Sequence, residues 1–286
     1  MTSSAPLLFD RNLVRAHRRR AAPGLAGHSF LLERAAQDIA ERLHEIERRF
    51  EPVLLQGARG GVLEQALANH PRLGHLIDLP HDEEALPFGA GVFEAVLSLL
   101  SLHWVNDLPG ALIQIRQSLR PDGLFVGTLF GGETLRELRQ ALAEAEIETE
   151  GGLSPRISPF LELRDGAALL QRAGFALPVA DRDLVTVTYE SPLHLMHELR
   201  GMGETNALIE RRRAPLKRGT LARALTIYGE KFGTATGRVA ATFDLLTLTG
   251  WAPHERQQQP LKPGSAKTRL ADALGASENP LPRDSD

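Results

Sequence analysis

His103 and Trp104 close the apolar stretch FEAVLSLLSLHW at 93–104. An imidazole that titrates near neutrality is suited there to orient a substrate or to accept a proton, the alternative being a structural histidine held by its neighbours. Trp104 reads as a wall of a pocket or of the core. The tetrapeptide Gly131-Gly132-Glu133-Thr134 follows another apolar run and opens a helix. Its glycines let the chain turn closely over a ligand, and Glu133 offers a carboxylate that would grip an arginine side chain through two hydrogen bonds. An ordinary strand-to-helix turn would use the same residues. Arg156 in SPRISPF and Arg200, Glu204 and Asn206 in LRGMGETNAL fall on loops or lid-like segments, where polar groups shape substrate entrances. Arg200 and Glu204, four apart, would otherwise pair on a helix surface. The chain contains no cysteine, which excludes thiolate nucleophiles, disulfides, cysteine-ligated zinc and iron–sulfur clusters. No closely spaced set of histidines and carboxylates reads as a metal site.

These residues need a scaffold, and the apolar patterning supplies one. Leu32, Ala35, Ile39, Leu43 and Ile46 recur at helical spacing, predicting an amphipathic helix over 31–50 that leads into a strand at 51–56. Gly57, Gly60 and Gly61 follow, with Arg59 among them, and then the helix-like VLEQALANH. Strand, glycine-rich turn and helix open a nucleotide-binding α/β unit. Further strands are expected at 75–79, 95–102 and 124–130, with a helix over 108–119 that RPDG ends. Asp78 would sit at the end of the second strand, suited to ribose hydroxyls or to capping a turn. The acidic run Asp82-Glu83-Glu84 faces either a ligand or solvent. Continuous apolar strands alternating with helices imply a parallel sheet covered on both faces. Two later segments, 179–189 and 239–251, have strand composition, and the basic, helix-forming stretch between them predicts a lid closing over the ligand edge. That lid would bring Arg200, Glu204 and Asn206 near His103 and Glu133, with both glutamates facing outward. The expected organisation is an N-terminal arm (1–30), an α/β domain (31–190 with 237–254), a helical lid (191–236) and an extended or disordered tail (255–286) carrying a short helix at 268–274.

With 33 Lys and Arg against 36 Asp and Glu, the net charge of -3 does not advertise nucleic acid. The basic stretches at 15–20 and 210–218 lack interleaved aromatics and read as solvated faces or contacts with acidic proteins. No apolar run reaches the roughly 20 residues of a membrane span, and the default compartment is the cytoplasm. The acid-free stretch RNLVRAHRRR is the one feature a mitochondrial targeting helix would share.

DEEALPF at 82–88, FEAVLSLLSLHW at 93–104, LRPDG at 119–123 and LLQRAGF at 169–175 resemble the class I S-adenosylmethionine-dependent methyltransferases of biotin and ubiquinone synthesis. FDRNL at 9–13, LSLHWVNDLP at 100–109, FGGETLRELR at 130–139 and EGGLSPRISPF at 150–160 are similar to one branch, the complex I assembly factors regarded as protein-arginine hydroxylases. RGMGETNAL at 200–208, GWAPHE at 250–255 and PGSA at 263–266 extend the likeness.

The resemblance implies a Rossmann-like methyltransferase sheet with a reduced second and third strand region, a helical lid and an antiparallel final strand pair. It implies S-adenosylmethionine at Gly57, Arg59, Gly60, Gly61, Asp78, Asp82 and Leu102, with Asp82 meeting the adenine amino group. It further implies His103 and Glu133 as catalytic groups, and Trp104, Thr134, Arg156, Arg200, Glu204 and Asn206 facing the substrate. The implied partner is a protein, a subunit of respiratory complex I, with a metabolite as the alternative, such as a carboxylate methylated in biotin synthesis.

The chain departs from the family pattern where the cofactor packs. VLLQGARGG at 53–61 puts Leu55 at the usual acidic position and Arg59 at the middle glycine, so Arg59 is expected to project toward the methionine end of the pocket. The stretch between Gly61 and Phe88 is also shorter than the roughly 40 residues that helix, strand, helix and strand require. Both departures favour the competing reading, a non-catalytic assembly or scaffold protein that no longer binds the cofactor.

Overall fold

Residues that are apolar on both sides form the centre of one six-stranded sheet. In the computed structural model, which describes residues 7–57, 59–78 and 82–258 with positions 268 and 275, the strands are β1 (Val53–Gln56), β2 (Leu76–Ile77), β3 (Phe93–Leu99), β4 (Leu119–Phe130), β5 (Ala176–Tyr189) and β6 (Val239–Trp251). Their order is β2-β1-β3-β4-β6-β5. β1 pairs in parallel with β2 and β3, and β3 with β4, whereas β6 runs antiparallel to both β4 and β5. All four residues of β1 are buried, as a doubly covered strand requires. β5 alternates between half-buried and exposed positions, as an edge strand with one solvated face does. The reduced region expected after β1 takes the form of β2, which is two residues long.

Helices α1 (Arg11–Ala21), α2 (Phe30–His44), α3 (Val62–Leu67), α4 (Leu108–Ser118), α5 (Arg136–Glu150), α6 (Leu163–Arg172), α7 (Pro192–Met202) and α8 (Arg218–Phe232) cover the sheet. Leu32 and Ile39 of α2 and Tyr228 of α8 share one core with Phe243 of β6. Leu112 and Ile115 of α4 and Leu170 of α6 share a second with Phe125 of β4. α7 and α8 lie between β5 and β6, giving the helical insertion and the antiparallel final pair. α2 stops at His44 rather than continuing to residue 50. The second unit begins at His254, and its described part is a turn in which the Gln257 N–H donates to the His254 carbonyl at 3.1 Å. Residues 1–6, most of the tail and the helix expected at 268–274 lie outside the described residues.

The first thirty residues were expected as an arm, and their described part is held in place. Asp10 caps α1 by accepting from the Leu13 N–H at 3.0 Å. Arg11 of α1 donates to the Trp104 carbonyl at 3.1 Å and to Asp82 at 3.0 Å, and it also meets Glu83. Phe9 packs edge-on against Trp104 with ring centroids 5.2 Å apart.

The chain runs from β1 to β2 on one side and returns to β3 on the other. The crevice outside the carboxyl ends of β1 and β3 is therefore the topological switch point where such sheets bind ligands. Gly57 makes the exit from β1 with φ +70°, and a β-carbon there would lie 2.3 Å from the Leu99 carbonyl oxygen. Both the left-handed backbone and this approach demand glycine. Gly57→Ala should thus cost about 2 kcal/mol or more in urea unfolding. An unchanged midpoint would show that the turn is less constrained than its geometry indicates.

Candidate active site

Glu204 is the centre of the site, and a glycine puts it there. α7 ends at Met202, and Gly203 turns the chain with φ +78°. The Gly203 N–H donates to the Arg200 carbonyl at 3.2 Å and the Glu204 N–H to the Leu199 carbonyl at 2.8 Å. This reversal satisfies the last carbonyls of the helix and folds Glu204 inward. Its carboxylate meets one ion-pair partner and two hydrogen-bond partners from two strand ends. Arg59 Nη2, from the turn after β1, lies 2.9 Å from Oε1. Oε2 lies 3.0 Å from His103 Nε2 and accepts from Trp104 Nε1 at 2.7 Å, both from the turn after β3. Arg59 also donates to the Met202 carbonyl at 2.8 Å. The side chain of Glu204 is 4% exposed and that of His103 1%.

Burial opposes the charge on Glu204, but Arg59 and His103 outweigh it and hold the carboxyl far below its usual range. For His103 burial dominates and pushes the imidazole down, against the pull of Glu204. A neutral ring that donates from Nε2 to Glu204 leaves Nδ1 as a lone-pair acceptor, and this buried atom has no hydrogen-bond partner among the described residues. The arrangement is chemically a fixed anion beside a base.

A cavity of about 350 Å³ opens beside this cluster, and Trp104, Thr134, Arg156, Arg200, Glu204 and Asn206 all line it. Three of them are held by neighbours from other elements. Thr134 donates to the Asp244 carbonyl at 3.2 Å, Arg156 pairs with Glu146 at 2.9 Å, and Asn206 donates to the Pro155 carbonyl at 2.8 Å.

Other expectations need correction. Glu133 does not face the cavity: its carboxylate accepts from Arg136 at 2.9 Å and is 39% exposed, because its backbone N–H is drawn to Asp244. Glu204, expected at the surface, is buried. The alternative of an Arg200–Glu204 helix pair does not form, since the helix ends between them. His103 does not line the cavity but packs among Trp104, Phe130 and Phe160. Leu102 is 1% exposed and sits in the core with Val96, Val105 and Leu112, because the chain leaves β3 at Leu99 and turns that side chain inward.

The cofactor-facing set is also spoken for. Leu55 is fully buried in the core beside Ala95 and Leu97. Asp82, the expected adenine contact, accepts from Arg11 and Arg15 at 3.0 Å each. Burial works against that carboxylate, but the Glu84 N–H and these two arginines hold it below its ordinary value. Asp78 is exposed at the end of β2, close enough to Glu64 to keep the Glu64 carboxyl raised, after burial, above its usual range. Gly60 and Gly61 adopt left-handed angles in the turn before α3. Residues not anticipated include His17, Arg20 and Thr205, which also line the cavity, and Asp244, fully buried and held by Arg182 at 2.9 Å. Among the described residues no three His, Asp or Glu side chains converge as metal ligands would.

The depressed values of Glu204 and His103 fix the sign of the pH dependence. The unfolded chain takes up protons at about pH 6.5 for histidine and about 4.3 for glutamate, before the folded chain does. The Glu204 contribution is whole above that ordinary glutamate value and is lost as pH falls through the lower folded one, while His103 adds a loss already below its own. Unfolding titrations should therefore show stability falling on acidification. Glu204→Gln should start about 3 kcal/mol lower, with a flatter profile at the acid end. Parallel profiles of equal height would contradict the buried ion cluster.

Residues 58–127 match the family described as a methyltransferase domain. A Danio rerio protein named arginine-hydroxylase NDUFAF5, mitochondrial, is 40% identical over 286 residues, covering 93% of this chain and 89% of its own length. A Xylella fastidiosa protein named malonyl-[acyl-carrier protein] O-methyltransferase is 33% identical over 273 residues, covering 86% of this chain and 89% of its own. A solved Bacillus halodurans chain, described as a candidate methyltransferase, superposes with a TM-score of 0.51 at 14% identity over 76% of this chain and 99% of that one, a likeness of fold alone. With the sheet order, the switch-point crevice and these relatives together, the chain belongs to the arginine-hydroxylase NDUFAF5 family, within the S-adenosylmethionine-dependent methyltransferase superfamily of enzymes.

Proposed function

We propose that this chain is an enzyme that modifies an arginine side chain of a protein substrate; relatives that it resembles carry the name arginine-hydroxylase. The observation that carries the reading is the convergence of Trp104, Thr134, Arg156, Arg200, Glu204 and Asn206, distant in sequence, on one cavity beside a buried carboxylate. The substrate class is a subunit of a respiratory complex I, and the compartment is the cytoplasm. Among the described residues no helix is long and apolar enough to cross a membrane.

S-adenosylmethionine, which the family implies, does not fit the crevice in this arrangement. The Arg59 guanidinium, from the glycine-rich turn after β1, pairs with Glu204 beside the end of β3, so a buried arginine side chain occupies the turn on which such a cofactor packs. Leu55 supplies no charge, and the Asp82 carboxylate is occupied by Arg11 and Arg15. This crevice is the specific support for the second reading, an assembly or scaffold protein that keeps the fold without methyl transfer.

Two experiments test these readings. Mass spectrometry of complex I subunits from a deletion strain and its wild-type parent should reveal an arginine carrying an added oxygen or methyl group only in the parent. Identical arginine masses in both strains would sink the enzymatic reading. In calorimetry, S-adenosylmethionine should bind the wild-type chain weakly or undetectably and bind Arg59→Gly/Leu55→Asp more tightly. Equal binding would remove Arg59 as the obstacle.

A further inference from the structure

The cavity carries rim charges that have no carboxylate partner of their own. Glu204 is the sole carboxylate among its lining residues, and Arg59 and His103 already compensate it. Five arginines line the same cavity. Three are paired with acids: Arg156 with Glu146, Arg212 with Glu150 at 2.5 Å, and Arg211 more loosely with Asp10 at 3.7 Å. The other two are not. Arg20, at the end of α1, donates only to the neutral Thr205 hydroxyl at 3.0 Å. The Arg200 side chain, in the last turn of α7, has no hydrogen-bond or ion-pair partner among the described residues.

Both arginines are exposed at the rim, and their charges oppose each other. Burial and then the charge of Arg20 push the His17 imidazole down. Two guanidinium groups that line one cavity without a carboxylate partner favour an anion at its mouth. Below the rim the walls are apolar, built from Leu135, Leu138, Phe160, Met196, Leu199 and Phe243. The volume of about 350 Å³ falls within the range of small-molecule and side-chain pockets.

We propose that this cavity binds a carboxylate carried on an apolar stem, its head group between Arg20 and Arg200 and its stem against the apolar walls. Two sources share that chemistry: an acidic residue beside an apolar one in a protein partner, and a free acyl carboxylate. The proposal does not depend on arginine modification, because it concerns what the rim and walls bind.

Calorimetry of the full chain with octanoate, octanol and octylamine tests it. Octanoate should bind, with an affinity that weakens as salt is added, and the neutral and cationic analogues should bind at least about tenfold more weakly. Arg20→Gln and Arg200→Gln should each weaken octanoate by about tenfold with thermal melts unchanged, since both side chains are exposed. Arg213→Gln, exposed and outside the cavity lining, should leave binding as in the wild type. Competition by an acetylated Leu-Asp-Leu peptide amide assigns the protein source; binding of octanoate without such competition assigns the acyl source. Octanol binding as tightly as octanoate, or a doubly substituted Arg20→Gln/Arg200→Gln chain that keeps its octanoate affinity, would overturn the proposal. Specific octanoate binding by a chain that modifies no arginine would leave this inference standing and discard the enzymatic reading alone.

Discussion

One buried carboxylate holds the lid to the sheet. Glu204 receives Arg59 from the turn after β1 and His103 and Trp104 from the turn after β3, so a residue of the insertion ties together two strand ends far away in sequence. An isolated carboxylate at this depth would be too costly to keep ionised, and an isolated Arg59 equally so. Each makes the other tolerable. The position of the lid and the occupation of the switch-point crevice are therefore one structural fact: while Glu204 is inside, the Arg59 guanidinium is in the crevice.

The N-terminal helix extends the same logic to the acidic run after β2. Arg11, Arg15 and Arg18 meet Asp82 and Glu83, and burial of Glu83 is offset by Arg18 and Arg11, which hold its carboxyl below the ordinary range. The chain satisfies with its own arginines both the acid that would face adenine and the acid at the mouth of the lid. The switch-point crevice and the acidic run after β2 are thus both met by internal arginines. Among the arginines that line the cavity, Arg20 and Arg200 are without a carboxylate partner in the described residues.

The sheet and its order of elements were legible because strand burial writes itself into sequence as apolar runs. β6 spans the expected residues, β1 falls inside its predicted stretch, β4 encloses its own, and β3 overlaps its own but starts two residues earlier. The substrate-facing set could be anticipated because its residues cluster in unusual motifs on the ligand edge. Side-chain direction was not legible. Glu133 and Glu204 are both glutamates next to glycines; which one points inward depends on the helix reversal at Gly203 and on the pull of Asp244 on the Glu133 N–H, a contact across 111 positions. The basic stretch at 15–20 reads as a solvated face for the same reason: its acidic partners at 82 and 83 meet it only through tertiary structure.

The coupling between Arg59 and Glu204 is measured most directly by a double-mutant cycle. Unfolding free energies of the wild type, Arg59→Met, Glu204→Gln and the double variant, taken at neutral pH, should give an interaction energy of about 2 kcal/mol or more, with the double variant more stable than Glu204→Gln alone. An interaction energy near zero, with the two losses simply adding, would mean that the guanidinium and the carboxylate do not depend on each other and that the lid is held by something else.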